Sequence, residues 1–194
     1  MRITRLGILG STRGTDLQAI MNAIQQKQLA ADIKIVISNK KDAYILERAK
    51  QNGSEAVYIN PTSLTRDEFD QQISDIMHTH EVDLIVLIGY MRILSAKFVE
   101  EWRDKIINVH PSLLPAFAGG MDQDVHQQVL ASGVSETGCT VHFVTEEVDA
   151  GPILVQKKCK VLAGDTVDNL KERVQLLEGE ALIEAIKKLS KMLL

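Results

Sequence analysis

Along the front half of the chain, short apolar runs rich in β-branched residues alternate with segments whose apolar positions recur every three or four residues. Such runs read as buried strands, and such recurrences as amphipathic helices. Residues 6–9 form a first strand, followed by a helix with Leu17, Ile20, Met21 and Ile24 on one stripe. A strand at 33–37, a short helix at 42–51 stopped by Asn52 and Gly53, and a third strand at 56–59 come next. A helix at 66–78 and a near-continuous apolar strand at 83–88 complete the alternation. Units of strand, helix and strand at this length require parallel pairing with right-handed crossovers, which puts helices on both faces of the sheet.

The pattern changes in the back half. Residues 106–110 read as a strand broken at Pro111, and residues 138–145 and 153–161 as two strands around the turn Val148-Asp149-Ala150-Gly151-Pro152. Two strands joined by one turn pair antiparallel. A last helix begins near Asp165 or Thr166 and carries Leu170, Val174, Leu177 and Ala181 on one face. The expected fold class is therefore α/β. It is a doubly wound, mostly parallel, Rossmann-like sheet with helices on both faces and an antiparallel C-terminal part. A single domain over residues 1–194 is expected, its two halves meeting near residue 100. In such sheets ligands gather beyond the carboxyl ends of the strands, which directs attention to the residues after Leu9, Ile88 and Val109.

Composition narrows the function classes. The 194 residues are 45% hydrophobic, enough for one substantial core, and the formal charge of −4 arises from interspersed acids and bases. Without a basic face, nucleic acid is not an expected partner. Cys139 and Cys159 lack metal-ligand spacing and lie in strand-like apolar stretches, so both read as reduced, inert thiols, and no metal is expected. With no leader-like or membrane-length apolar run, a soluble cytoplasmic protein is expected, as a monomer or homodimer.

Three places carry candidate chemistry. Gly10-Ser11-Thr12-Arg13-Gly14-Thr15-Asp16 joins the first strand to the first helix. It reads either as an anion cradle built from helix-start N–H groups, or as a tight turn with Thr15 or Asp16 as N-cap. It lacks the three-glycine dinucleotide pattern and the P-loop lysine. In Asn108-Val109-His110-Pro111, a side-chain period of two sets Asn108 and His110 on one strand face. An amide and an imidazole placed so suit acyl transfer, one holding a developing oxyanion and the other handling protons, although a strand-end histidine can also be purely structural. Asp149, in a turn between two apolar strands, either orients His110 or simply bonds its own backbone.

The run Asn108-Val109-His110-Pro111-Ser112-Leu113-Leu114-Pro115 resembles the signature of the folate-dependent formyltransferases. Gly89-Tyr90-Met91-Arg92-Ile93-Leu94-Ser95 and Gly138-Cys139-Thr140-Val141-His142-Phe143-Val144 resemble the same family in order and spacing, as does Val148-Asp149-Ala150-Gly151-Pro152. The resemblance spans nearly the whole chain. It is strongest to members that move a formyl group from 10-formyltetrahydrofolate, as co-substrate, onto the amine of phosphoribosyl glycinamide in purine (IMP) synthesis. A hydrolase that releases formate from the same folate, or a folate-binding module without turnover, is the alternative. The two sister enzymes that share the central motif carry additional domains, which are not expected here.

The resemblance implies that Asn108, His110 and Asp149 are catalytic, with Asp149 raising the pKa of His110. It implies folate contacts at Arg66, Met91, Arg92, Ile93, Leu94 and Asn108, and along the loop Thr145, Glu146, Glu147, Val148 and Asp149. For the glycinamide ribonucleotide it implies Gly14, Thr15, Asp16, Leu17 and Gln18 around the phosphate, with Gln175 and Glu178 near the ribose. The first, roughly 1–100, half then serves the phosphate and the second the folate and the chemistry. Three departures from the family pattern stand out: Asp16 replaces an asparagine, the segment 116–122 ahead of His126 is longer, and the chain ends soon after the last helix.

Overall fold

The computed structural model describes residues 3–120 and 123–192. Met121 and Asp122, part of the longer segment, lie outside the described residues. The front half runs β1 (Thr4–Gly10), α1 (Thr15–Gln25), β2 (Ala31–Ser38), α2 (Tyr44–Gln51), β3 (Ala56–Tyr58), α3 (Arg66–Thr79) and β4 (Leu84–Ile88). There follow α4 (Ala96–Glu101), β5 (Ile106–His110), α5 (Gln123–Ser132), β6 (Glu136–Phe143), β7 (Ile153–Lys160) and α6 (Val167–Met192). The strands form one seven-stranded sheet in the order β3-β2-β1-β4-β5-β6-β7. Pairing is parallel from β3 to β5 and antiparallel from β5 to β7.

Each face of the sheet carries its own core. One cluster joins Ile8, Val86 and Ile107 to Leu17 and Ile20 of α1, Ile45 of α2, Val125 and Val129 of α5, and Val174 and Leu182 of α6. The other joins Leu9, Ile35 and Ile85 to Phe69, Ile73 and Met77 of α3 and to Phe98 and Trp102 beside α4. All five residues of β4 are buried, because helices cover both of its faces. Burying a side chain such as Leu17 or Ile73 contributes roughly 1.5–3 kcal/mol. The helical stripes are thus what hold α1 and α3 on opposite sides.

Several boundaries differ from the sequence pattern for physical reasons. α4 and α5 are additional helices, one of them only 6 residues long. β6 stops at Phe143 instead of continuing to 145, because the Val144 N–H turns to the Ile106 carbonyl and the chain leaves the sheet. Neither Thr15 nor Asp16 caps α1. The N-cap is Gly14, whose left-handed φ of 68° ends the turn without any side-chain cap. α3, by contrast, starts in a reciprocal capping box between Thr65 and Glu68.

Candidate active site

A cavity of about 450 Å³ opens beyond the carboxyl ends of β1, β4 and β5. β1 pairs with β2 on one side and β4 on the other, so the chain reverses its winding direction at that point. This is where a parallel sheet leaves a crevice between its outgoing loops. The turn after β1 and the loop after β4 are tied together: Ser11 N–H donates to the Gly89 carbonyl, and Met91 N–H donates to Ser11 Oγ at 2.9 Å. A side chain at Gly89, where φ is 53°, would collide with Thr12 Oγ1.

Asn108 and His110 project from the end of β5 into this cavity, as their period of two requires. The loop 144–152 leaves the sheet at Phe143 and returns where the Phe143 N–H donates to the Pro152 carbonyl. Between these ends Asp149 adopts a positive φ of 55° and turns its carboxylate to the β5 residues. Its Oδ2 stands 3.3 Å from His110 Nδ1 and accepts from the Gly119 N–H at 2.8 Å. Its Oδ1 stands 3.5 Å from His142 Nε2.

His142 is the residue that the sequence reading did not single out. Antiparallel register pairs it with Asn108, and Asn108 Nδ2 lies 3.3 Å from His142 Nε2. Pairing with β7 shifts between Val141 and His142, a bulge of the kind that re-aims a side chain. His142 Nδ1 is 2.8 Å from the Phe143 carbonyl, which only accepts, so Nδ1 carries a hydrogen. In a neutral ring Nε2 then accepts from Asn108, and in a protonated ring it donates to Asp149.

The same reasoning sets the tautomer of His110. Nε2 lies 2.9 Å from the Phe117 carbonyl and so bears a hydrogen. Burial is the strongest influence on this imidazole and lowers its pKa below 6.5, outweighing the opposing pull of Asp149 and the Phe117 bond. The expected rise at His110 is therefore reversed: Asp149 pulls upward, but desolvation wins. Burial pushes the Asp149 carboxyl upward, yet hydrogen bonds from His142 and Gly119 with the two nearby imidazoles leave it below its ordinary value. Asp149 is accordingly an anion at neutral pH. The loop bearing Leu114 and Pro115 is pinned under this group, with Leu114 N–H donating to Thr140 Oγ1, which in turn donates to the Ser112 carbonyl. The Leu114-Pro115 bond is cis.

Met91, Arg92, Ile93 and Leu94 line one end of the cavity with residues 145–148, and Gly14, Thr15, Asp16, Gln175 and Glu178 line the other. Arg92 stacks its guanidinium 4.3 Å over the Phe69 ring. Three predicted contacts stand outside the cavity wall. Leu17 is fully buried in the core, and Gln18 is engaged by Asn22 and Arg48. Arg66 lies at the exposed start of α3. Among the described residues no cluster of three His, Cys, Asp or Glu has metal-holding geometry, and no helix is long and apolar enough to cross a membrane.

The formyl transferase family model matches residues 4–186. The phosphoribosylglycinamide formyltransferase of Haemophilus influenzae is 42% identical over 172 residues, 88% of this chain and 80% of that protein. The human trifunctional purine biosynthetic protein adenosine-3 is 44% identical over 175 residues, 90% of this chain. The chain spans only 17% of that relative's length. Among solved structures, glycinamide ribonucleotide transformylase 1 from Symbiobacterium toebii superposes with a TM-score of 0.93 at 39% identity, covering 97% of this chain and 88% of that one. With its sheet order, its β5 dyad and a match over almost its full length, the chain belongs to the formyl transferase family, in the group of phosphoribosylglycinamide formyltransferases.

Proposed function

We propose that the chain transfers the formyl group of 10-formyltetrahydrofolate to the amine of 5-phosphoribosyl glycinamide in purine biosynthesis. The observation that carries this reading is the convergence of Asn108, His110 and Asp149 from two chain segments midway along one cavity. At one end, Ile93 and Val148 are about half exposed, 53% and 52%, and offer an apolar mouth for a flat pterin. At the other, the uncapped start of α1 offers N–H groups to a phosphate.

The neutral amine attacks the formyl carbon, and its carbonyl oxygen gains negative charge. His110 Nε2–H donates to a backbone carbonyl in the structure, and the formyl oxygen is an acceptor of the same type. With the Asn108 amide it would hold the oxyanion of the tetrahedral intermediate. Asp149, ionised beside His110, takes or relays the amine proton, directly or through water, and the folate nitrogen gains a proton as its bond to carbon breaks. Both reactants are small molecules, and the chain works on them in the cytoplasm as a monomer or homodimer.

The test is incubation with 10-formyltetrahydrofolate and glycinamide ribonucleotide, with mass detection of the formylated amine. Formation of that product only when both are present is the expected result. Free formate released at the same rate without the ribonucleotide would instead identify a hydrolase, and tight folate binding with no product a binding module.

A further inference from the structure

The cavity holds one acid that the proposed chemistry does not use. Asp16 is the second residue of α1, lines the cavity, and is only 6% exposed. Its Oδ1 is fully buried with no hydrogen-bond partner. It does not cap its own helix, since Gly14 occupies that position. A buried carboxylate without donors is costly, and the usual resolution is to bind a proton. Burial raises the Asp16 carboxyl to about 7.

Its surroundings point the same way. The Cys139 thiol of β6, pushed up to about 12 chiefly by burial, also feels negative charge from both Asp16 and Glu178 of α6. Asp16 and Glu178 thus flank the same thiol, and two acids so placed disfavour double ionisation. Arg13 in the turn and Lys171 of α6 are the cations on the same cavity wall. Arg48 of α2 is turned away to the Arg13 carbonyl and Gln18.

We propose that Asp16 is a carboxylic-acid donor to the anionic end of the substrate, so that a proton enters the site together with the phosphate. This rests on the reading that a phosphoribosyl group lies at the start of α1. As a carboxylate Asp16 would repel a phosphate, whereas as an acid it presents one O–H to a phosphoryl oxygen. Asparagine, which other members carry at this position, donates at any pH. The replacement therefore converts a constant contact into one that fades as pH rises.

The test is isothermal titration calorimetry of the full chain with ribose 5-phosphate, in buffers of different ionisation enthalpy, beside the near-isosteric Asp16→Asn. This ligand carries no amine, and its own phosphate ionisation is common to both proteins. The wild type is expected to take up more protons per ligand than Asp16→Asn, and its affinity relative to the variant to fall about tenfold per pH unit above the Asp16 pKa. Identical proton uptake and identical pH slopes would overturn the proposal. So would an infrared difference spectrum of the wild type in which no protonated-carboxyl band accompanies binding, a measurement that needs no variant. Formylation of the ribonucleotide with no such difference sinks this inference alone. Proton-linked binding without formylation sinks only the assigned activity.

Discussion

His110 Nδ1 and Asp149 Oδ2 lie 3.3 Å apart, although one belongs to the end of β5 and the other to the turn ahead of β7. Both side chains are buried, and the Gly119 N–H shares the same carboxylate oxygen. The contact therefore depends on three separate segments holding their places.

Truncating either donor aimed at the formyl oxygen is expected to slow turnover sharply. His110→Ala and Asn108→Ala should each lose about 100-fold to 1000-fold in kcat, with circular dichroism unchanged. Wild-type turnover in either variant would remove that residue from the mechanism.

Acid should weaken the fold through this same pair. The His110 pKa is lowered from 6.5, so the folded state favours the neutral ring. Its contribution is complete above 6.5 and fades as pH falls toward the folded-state value. Asp149, lowered from 3.8, adds stability that is present above 3.8 and lost as pH drops further, through its folded pKa. Melting temperature should thus decline in two steps on acidification, and His110→Gln should erase the first. An unchanged first step would show that another group causes it.

Gly151 closes the turn that carries Asp149. A methyl group there would lie 1.8 Å from the Phe143 carbonyl oxygen, which also receives the His142 Nδ1 hydrogen. Gly151→Ala is expected to cost about 1–3 kcal/mol in urea denaturation, as overpacking does. It should lower kcat more than it raises KM, since the displaced group is the acid. Steady-state kinetics on the folded variant decides.

Behind Arg92, the buried Asp70 accepts the Ser95 N–H at 2.6 Å, where α4 begins. Asp70→Ala leaves that donor unpaired, at a cost of about 1–3 kcal/mol, and strips Arg92 of a neighbouring negative charge. Asp70→Asn should recover most of the stability but not the charge. If Arg92 holds the folate, both variants should raise KM for the folate with little change in kcat, and an unaltered KM would argue against it.

How much of this was legible beforehand follows from local physics. β4 and α1 could be read because uniform burial and a helical stripe leave direct marks on residue order. α4 could not, since six residues make too few turns to show a period. α5 buries Val125 and Val129 but keeps Gln127 and Gln128 exposed between them, a faint stripe. At the site, Asn108 and His110 share a face by strand geometry alone. His142 joins them only through antiparallel register with β5, which no local pattern encodes. Its alternation with Thr140 and the Asn108 pairing would have sufficed had the strand order been known. Asp149 was reached through the family resemblance, because a turn aspartate looks the same whether it bonds its own backbone or a distant imidazole.

The Phe117 carbonyl sits on the one imidazole hydrogen that faces away from Asp149. A tight inhibitor should therefore carry its own acceptor oxygen at that spot. Such a compound would inherit a socket already shaped to a carbonyl, and its gain would be measured against the loop it evicts, not against bulk water.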